Sequence, residues 1–490
     1  MKPLPQSLTR VHGLLLVRAL GALALALLPL RAQVDRYELG LRLRGFEREL
    51  ATATDPGRRA QAFVALDRGV QAFFRLDLAG VAVAVGDACW ALRGRTPTPA
   101  ERWADYLQLR FDARLLATGG AASATLASIA PKQRRDDADE AAGGESAAPD
   151  DAVLTMEIDG HAEIKAEFPL AELPKVLALP LASLPAGDHV LRWRVRSGEV
   201  ELVHREQGLS VAADLDARLQ HLEGAVDTAA SLAPLEHETL PSLVRTVRGM
   251  TRKRGEETIL PGARLLAEAE ALAALAADER YYGPERRGQF WLKVPTAKGS
   301  VVARLCVPAT AAAATETLPI VVVLHGAGGS ENLFCDGYGD GETVRQCERR
   351  GWLLAAPRAS GLTGTDVPAL VDALALRYPI DRARVLVVGH SMGAIQIVAN
   401  CQRAPDRYRA VAAISGGGAV REVEGLDRLA FFVAAGSRDF GLAASSALRR
   451  QLERRGVAVT WREYEDVEHL AVVQIALPDV FAFFDRALGR

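Results

Sequence analysis

At 490 residues the chain is too long for one hydrophobic core, so two to four domains are expected. A net charge of −2 with 49% hydrophobic residues is that of an ordinary globular protein, and it gives no support for nucleic-acid binding by the whole chain. The five cysteines are too few and too odd in number for a full disulfide framework. Cys335 and Cys347 either pair or remain thiols. No CxxC or His–Cys group has zinc spacing, and neither a P-loop nor GxGxxG occurs, so no metal and no cofactor is expected.

Residues 1–33 read as a secretory signal peptide. Lys2, Arg10 and Arg18 precede the Ala/Leu run Ala19–Leu30, and Ala32 is a small residue suited to the position before a cut. The run is shorter than the ~20 apolar residues of a membrane span, and no later segment is long enough, so the expected product is exported without a membrane anchor. Residues 34–100 follow as a helical segment, with stripes such as Leu39, Leu43, Phe46 and Leu50, then Phe63, Leu66, Val70 and Phe73. From about Trp103 the period changes to two, in Leu107–Phe111, Leu154–Ile158 and Leu191–Val195. Residues 101–212 are therefore expected to form a small β-sandwich-like domain. It is interrupted over residues 118–150 by an Ala-, Gly- and charge-rich insertion expected to be disordered. Residues 213–286 return to the helical period.

From residue 287 to 490 strand and helix patterns alternate, which predicts a doubly wound, mainly parallel α/β sheet. In such a sheet ligands bind outside the carboxyl ends of the strands. The apolar run Val385–Val388 leads into Gly389-His390-Ser391-Met392-Gly393 and then a helix-compatible run. Strand, G-x-S-x-G, helix is the context of a nucleophile elbow, with Ser391 on the turn and small residues needed at Gly389 and Gly393.

A serine hydroxyl needs a base. Only His325, His390 and His469 lie in this region. His390 is inside the elbow and His325 follows an earlier strand, which leaves His469, directly after the last strand. The acid is expected after the strand Ala430–Ala434, where Gly436-Ser437-Arg438-Asp439 offers Asp439; Asp466 and Glu468 are competitors too near His469 in sequence. The order Ser391, Asp439, His469 suits this architecture. Backbone donors for an oxyanion are expected from Met392 and from His325-Gly326-Ala327-Gly328-Gly329, with Ala327 preferred over Gly326 and Gly328. Phe334 and Tyr338, just beyond, either line a pocket or pack in the core.

On these pieces, and on Tyr378-Pro379-Ile380-Asp381-Arg382-Ala383-Arg384-Val385 before the elbow, the region 287–490 resembles the α/β-hydrolase superfamily. Within it the region is similar to secreted esterases related to polyhydroxybutyrate depolymerases and feruloyl esterases. The resemblance implies an exported serine hydrolase acting on a small or polymeric carboxylic ester through an acyl-enzyme. Prolyl-oligopeptidase-type peptidases share much of the pattern, but the preceding region lacks the signature of a β-propeller. The alternatives are such a peptidase or an acyltransferase using the same residues, and an inert protein that binds a polymer or glycan. Acyl preference and oligomeric state are not legible.

Overall fold

The computed structural model describes residues 34–129, 148–252, 255–359, 364–421 and 423–490. The expected signal peptide and most of the expected insertion lie outside these residues. The chain begins with helices α1 (Arg36–Thr52), α2 (Pro56–Phe74), α3 (Leu78–Arg93) and α4 (Pro99–Asp105). Each starts on a side-chain cap: Asp35, Asp55, Asp77 and Thr98 accept from the backbone N–H three residues on. Trp103 therefore sits on a short helix and not at the start of a strand, because Thr98 and Glu101 form a reciprocal capping box around Pro99.

Eight strands follow: β1 (Leu107–Phe111), β2 (Leu115–Ala117), β3 (Ala122–Ser128), β4 (Ala152–Ile158), β5 (His161–Pro169), β6 (Lys175–Leu179), β7 (Gly187–Ser197) and β8 (Val200–Ala212). They make a three-stranded sheet, β1-β3-β6, and a five-stranded one, β2-β8-β7-β4-β5. Both contribute to one core around Trp193, Leu107, Leu126 and Leu154. The sandwich is as expected from the alternation, but β3 lies inside the stretch expected to be disordered. Its small residues are the reason: Ala124 is fully buried between Phe111 on β1 and Leu177 on β6, so alanines that look unable to build a core fit a narrow gap in one.

Helices α5 (Leu215–Thr228), α6 (Pro234–Met250) and α7 (Gly262–Ala273) lead into the large sheet. Its elements are β9 (Gly288–Thr296), β10 (Gly299–Val307), β11 (Leu318–Leu324), α8 (Glu342–Arg350), β12 (Leu353–Pro357), α9 (Val367–Leu374), β13 (Ile380–His390), α10 (Met392–Arg403), β14 (Ala410–Ile414), β15 (Ala430–Gly436), α11 (Leu442–Glu453), β16 (Ala458–Tyr464) and α12 (Ala471–Ala487). The strand order is β16-β15-β14-β13-β11-β12-β10-β9. The six strands from β16 to β12 are parallel, and β10 and β9 complete one edge as an antiparallel hairpin. The fold is thus α/β, with a twisted sheet covered on both faces. Continuous apolar strands such as Ile320–Leu324 fit that double burial.

Alternate residues of each strand belong to different cores. Ile320, Val322, Val387, Val411 and Val433 face α5–α7, α9, α10 and α11. Val321, Val323, Leu386, Val388 and Phe432 face the other way, into a cluster with α12 and with Phe334 and Tyr338, which Phe46, Leu50, Phe63, Leu66 and Val85 of α1–α3 extend. Helices α1–α3 therefore extend the core on the α12 side of the sheet, with α1 packed on residues 333–340, whereas α4 gives Trp103 and Ala104 to the sandwich core. All five cysteines are free thiols; Cys335 and Cys347 are buried and unbridged, and Cys335 neighbours Cys306.

Candidate functional site

β11 and β13 are adjacent, and their successors, the loop to α8 and the turn to α10, meet at the carboxyl edge of the sheet. The chain runs to opposite sides of β11 from here, which makes this edge a topological switch point. Ser391 sits on the one-residue turn between β13 and α10 with φ 55° and ψ −115°, a conformation that a side chain other than glycine rarely adopts. The turn is held tight from both sides. A Cβ on Gly389 would come within 2.4 Å of the Gly393 carbonyl oxygen, and one on Gly393 within 2.0 Å of the Leu324 carbonyl oxygen. The pentapeptide needs its glycines for that reason, and Ser391 N–H donates to Ile414 O at 2.9 Å to lock the turn onto β14. Met392 opens α10, so its amide is among the first-turn N–H groups that no helical carbonyl can satisfy.

His469 lies on the loop from β16 to α12, and Asp439 on the loop after β15. The structure brings the two together: His469 Nδ1 and Asp439 Oδ1 are 2.7 Å apart, both side chains buried. Burial opposes ionisation of Asp439, but its hydrogen bond to His469 and the amide of Gly441, which donates to Oδ1 at 2.6 Å, help hold the carboxyl below the ordinary aspartate range. With Asp439 charged, His469 carries its proton on Nδ1 and presents Nε2 as an acceptor. The two competing acids are engaged elsewhere. Glu468 accepts from Leu470 N at 2.8 Å and Ala471 N at 2.5 Å, capping α12, while Asp466 is exposed. Burial pushes the Glu468 carboxyl up to about 8.

The glycine loop after β11 lies against the serine turn. A Cβ on Gly326 would stand 3.4 Å from Ser391 Cβ, and Ala327 and Gly328 are exposed beside it. His325 is buried beneath and shapes the loop. Its Nδ1–H donates to Gly326 O at 2.8 Å and its Nε2 accepts from Ala359 N–H at 3.1 Å, while burial lowers its pKa. His390 points away from the serine, as its place in the elbow suggests. Its Nε2–H donates to the His469 carbonyl at 2.9 Å, so Nδ1 accepts from Tyr338 Oη–H at 2.7 Å. The Tyr338 oxygen is in turn within hydrogen-bonding reach of Gly326 N–H. Burial is the largest cause holding His390 neutral, with its pKa pushed down to about 3.

This chain of bonds was not legible in sequence. It ties Tyr338 to the histidine loop through His390, whose ring lies against Gly326 of the glycine loop. Phe334 and Tyr338 are both buried, so each packs in the core, Tyr338 with its hydroxyl in this relay. A further surprise is the ring of Phe440, which stacks on His469 at 4.0 Å between centroids. Among the described residues no group of three His, Cys, Asp or Glu side chains is placed to hold a metal, and no helix is long and apolar enough to cross a membrane.

No family model matches the sequence, and no curated protein matches it. Solved structures do. A ferulic acid esterase is 16% identical with a TM-score of 0.35, covering 41% of this chain and 96% of its own. An S-formylglutathione hydrolase from Agrobacterium tumefaciens is 17% identical with a TM-score of 0.34, over 41% of this chain and 95% of its own. Est1E from Butyrivibrio proteoclasticus is 14% identical with a TM-score of 0.33, over 41% of this chain and all of its own. Likeness this partial carries no argument for a mechanism, which rests on the geometry above. Over about two fifths of its length, the chain is similar to solved esterases of these kinds.

Proposed function

We propose that this chain is a serine hydrolase of carboxylic esters, with Ser391, His469 and Asp439 as its catalytic residues. Ser391 Oγ attacks the ester carbonyl carbon while His469 Nε2 takes the hydroxyl proton. Asp439 keeps the imidazole in the required tautomer and stabilises it once it is charged. The amides of Met392 and Ala327 receive the negative charge that develops on the carbonyl oxygen. His469 then returns the proton to the departing alcohol, leaving an acyl-enzyme. A water, deprotonated by His469, releases the acid and restores Ser391. No cofactor enters these steps.

The observation that carries the reading is the 2.7 Å bond from His469 Nδ1 to Asp439, at the same sheet edge as a serine held at φ 55°. A histidine so oriented, at one sheet edge with a serine on a strained turn, suits nucleophile activation, and an inert binding protein has no need of either. A peptidase or acyltransferase would use the same residues, and the acceptor is settled by assay. We further propose export, supported by the basic and then apolar sequence of residues 1–33.

The test is labelling by a fluorophosphonate probe together with the Ser391→Ala variant on short-chain aryl esters. The variant should lose on the order of 10⁴–10⁶ in kcat and all labelling. Retention of more than about a tenth of the wild-type rate would overturn the assignment.

A further inference from the structure

We propose that the tip between α2 and α3, Phe73 to Leu76, forms with Phe440 an apolar binding wall that selects esters carrying a bulky apolar group. This rests on the ester-hydrolase reading and names the part of the substrate that this chain is built to recognise.

Four rings run edge to face or stacked across the mouth of the site. Phe73 and Phe74 have centroids 5.7 Å apart, Phe74 and Phe440 5.7 Å, and Phe440 and His469 4.0 Å. The far end of this row reaches the glycine loop, where a Cβ on Gly328 would come within 2.3 Å of the Phe73 ring. The row thus spans from the oxyanion loop to the base, beside the position an ester carbonyl must occupy. A ring wholly enclosed in a core would need no other explanation, but Phe74 and Phe440 are each 58% exposed and Leu76 is 63% exposed. These are three of the eight large hydrophobic residues most exposed among the described ones, gathered at one place. Contiguous exposed apolar surface beside a polar reactive pair is the composition of a ligand site.

The backbone adds to the case. Leu76 N–H donates to Phe73 O at 2.9 Å and Asp77 N–H to Ala72 O at 3.0 Å, the bond pattern of a helix C-terminus that turns through a left-handed residue. That residue is Leu76, at φ 60°, where glycine is the unstrained choice. The chain keeps a side chain at a position that penalises one and leaves it in solvent. A fatty or aromatic group lying against these rings would cover them and orient the carbonyl toward Ser391.

The experiment is the ratio of kcat/KM for p-nitrophenyl octanoate over p-nitrophenyl acetate, measured for the full chain and for Phe74→Ala, Phe440→Ser and Val176→Ala. Val176 is exposed on β6, in the sandwich, and serves as control. The wild type should favour the octanoate, and the first two variants should lower the ratio about tenfold or more, chiefly through KM, while the control leaves it alone. Because both rings are largely exposed, neither substitution should unfold the chain; if one does, the other reads the same ratio. A ratio within about twofold of wild type in the folded variants overturns the wall. A dimer that Phe74→Ala dissociates, with that ratio unchanged, would make the patch a self-association surface and also overturn it. Fluorophosphonate labelling of the wild type separates the two claims: without it the hydrolase reading falls and the wall with it, and with it a flat ratio removes the wall alone.

Discussion

The β-sandwich and the N-terminal helices look alike in sequence, as modest units preceding the α/β region, yet they relate to it in opposite ways. The sandwich closes its own core: Trp193, Leu107, Leu126 and Leu154 touch one another and not the large sheet. Helices α1–α3 close only a small one, around Val34 and Ala82, and lend most of their apolar surface elsewhere. Phe46, Leu50, Phe63 and Leu66 share a cluster with Val321, Val388 and Phe432. Polar contacts follow the same division. Glu47 on α1 accepts from Gly339 N–H at 3.0 Å, and Gln474 on α12 donates to Glu47 O at 2.8 Å, so α1 is stitched into the region around the site. The sandwich meets α1 through polar and ring contacts: Arg42 donates to Leu107 O at 3.1 Å, Gly208 N–H donates to the Tyr37 hydroxyl at 2.8 Å, and the Arg114 guanidinium lies over the Tyr37 ring. A unit with its own core can be lost without cost to its neighbour, whereas one that lends its apolar face is part of that neighbour.

The largest effect should come from removing the lent face. A chain beginning at Tyr281 would uncover Phe334, Tyr338 and the flank of α12, which share a cluster with Phe46, Leu50, Phe63 and Leu66, and should not fold cooperatively, as judged by solubility and near-UV circular dichroism. A soluble fragment that melts sharply and cleaves esters would erase the distinction drawn here. Single substitutions sharpen it. Phe46→Ala and Trp193→Ala each empty a fully buried site and should each cost about 3–5 kcal/mol. Phe46→Ala should lower the temperature at which hydrolysis is lost, whereas Trp193→Ala should shift only a calorimetric transition belonging to the sandwich.

The smallest effect concerns Glu468, at the seam between α1 and the histidine loop. Burial raises its carboxyl to about 8, so between the ordinary glutamate value and about pH 8 the folded chain holds a proton that the unfolded chain has released. Stability from this group is present at low pH and declines as pH rises through that window. Glu468→Gln cannot ionise, so its melting temperature should fall less than that of the wild type between pH 5 and pH 9. Parallel curves would mean that the carboxyl is already ionised within its cap.

Much of the large sheet was legible because its strands are continuous apolar runs and its helices have a clear period. The serine turn was legible because sterics demand Gly389 and Gly393 in sequence. Asp439 and His469 followed from elimination and chain order, and the structure joins them. The rest depended on contacts between distant segments. Nothing local marks Tyr338 as the partner of His390, or Phe73 as the neighbour of Gly328, since 52 and 255 residues separate them. The helical stripes of α1 and α2 announced an apolar face without saying what covers it. β3 was lost to composition, because Ala122, Ala124 and Ala127 signal weakness alone and fit well only between two partner strands.

The most direct test of the central claim is kcat on one aryl ester for Asp439→Asn beside Asp466→Asn and Glu468→Gln. Asp439→Asn leaves the shape of the site but removes the charge that keeps the proton on His469 Nδ1. It should lose up to about 10⁴-fold near neutral pH, as the equivalent change does in a serine protease. Asp466 is exposed and Glu468 is occupied with the amides that open α12, so their variants should lose far less. A crippled Asp466 or Glu468 variant beside a near-normal Asp439→Asn would contradict the account.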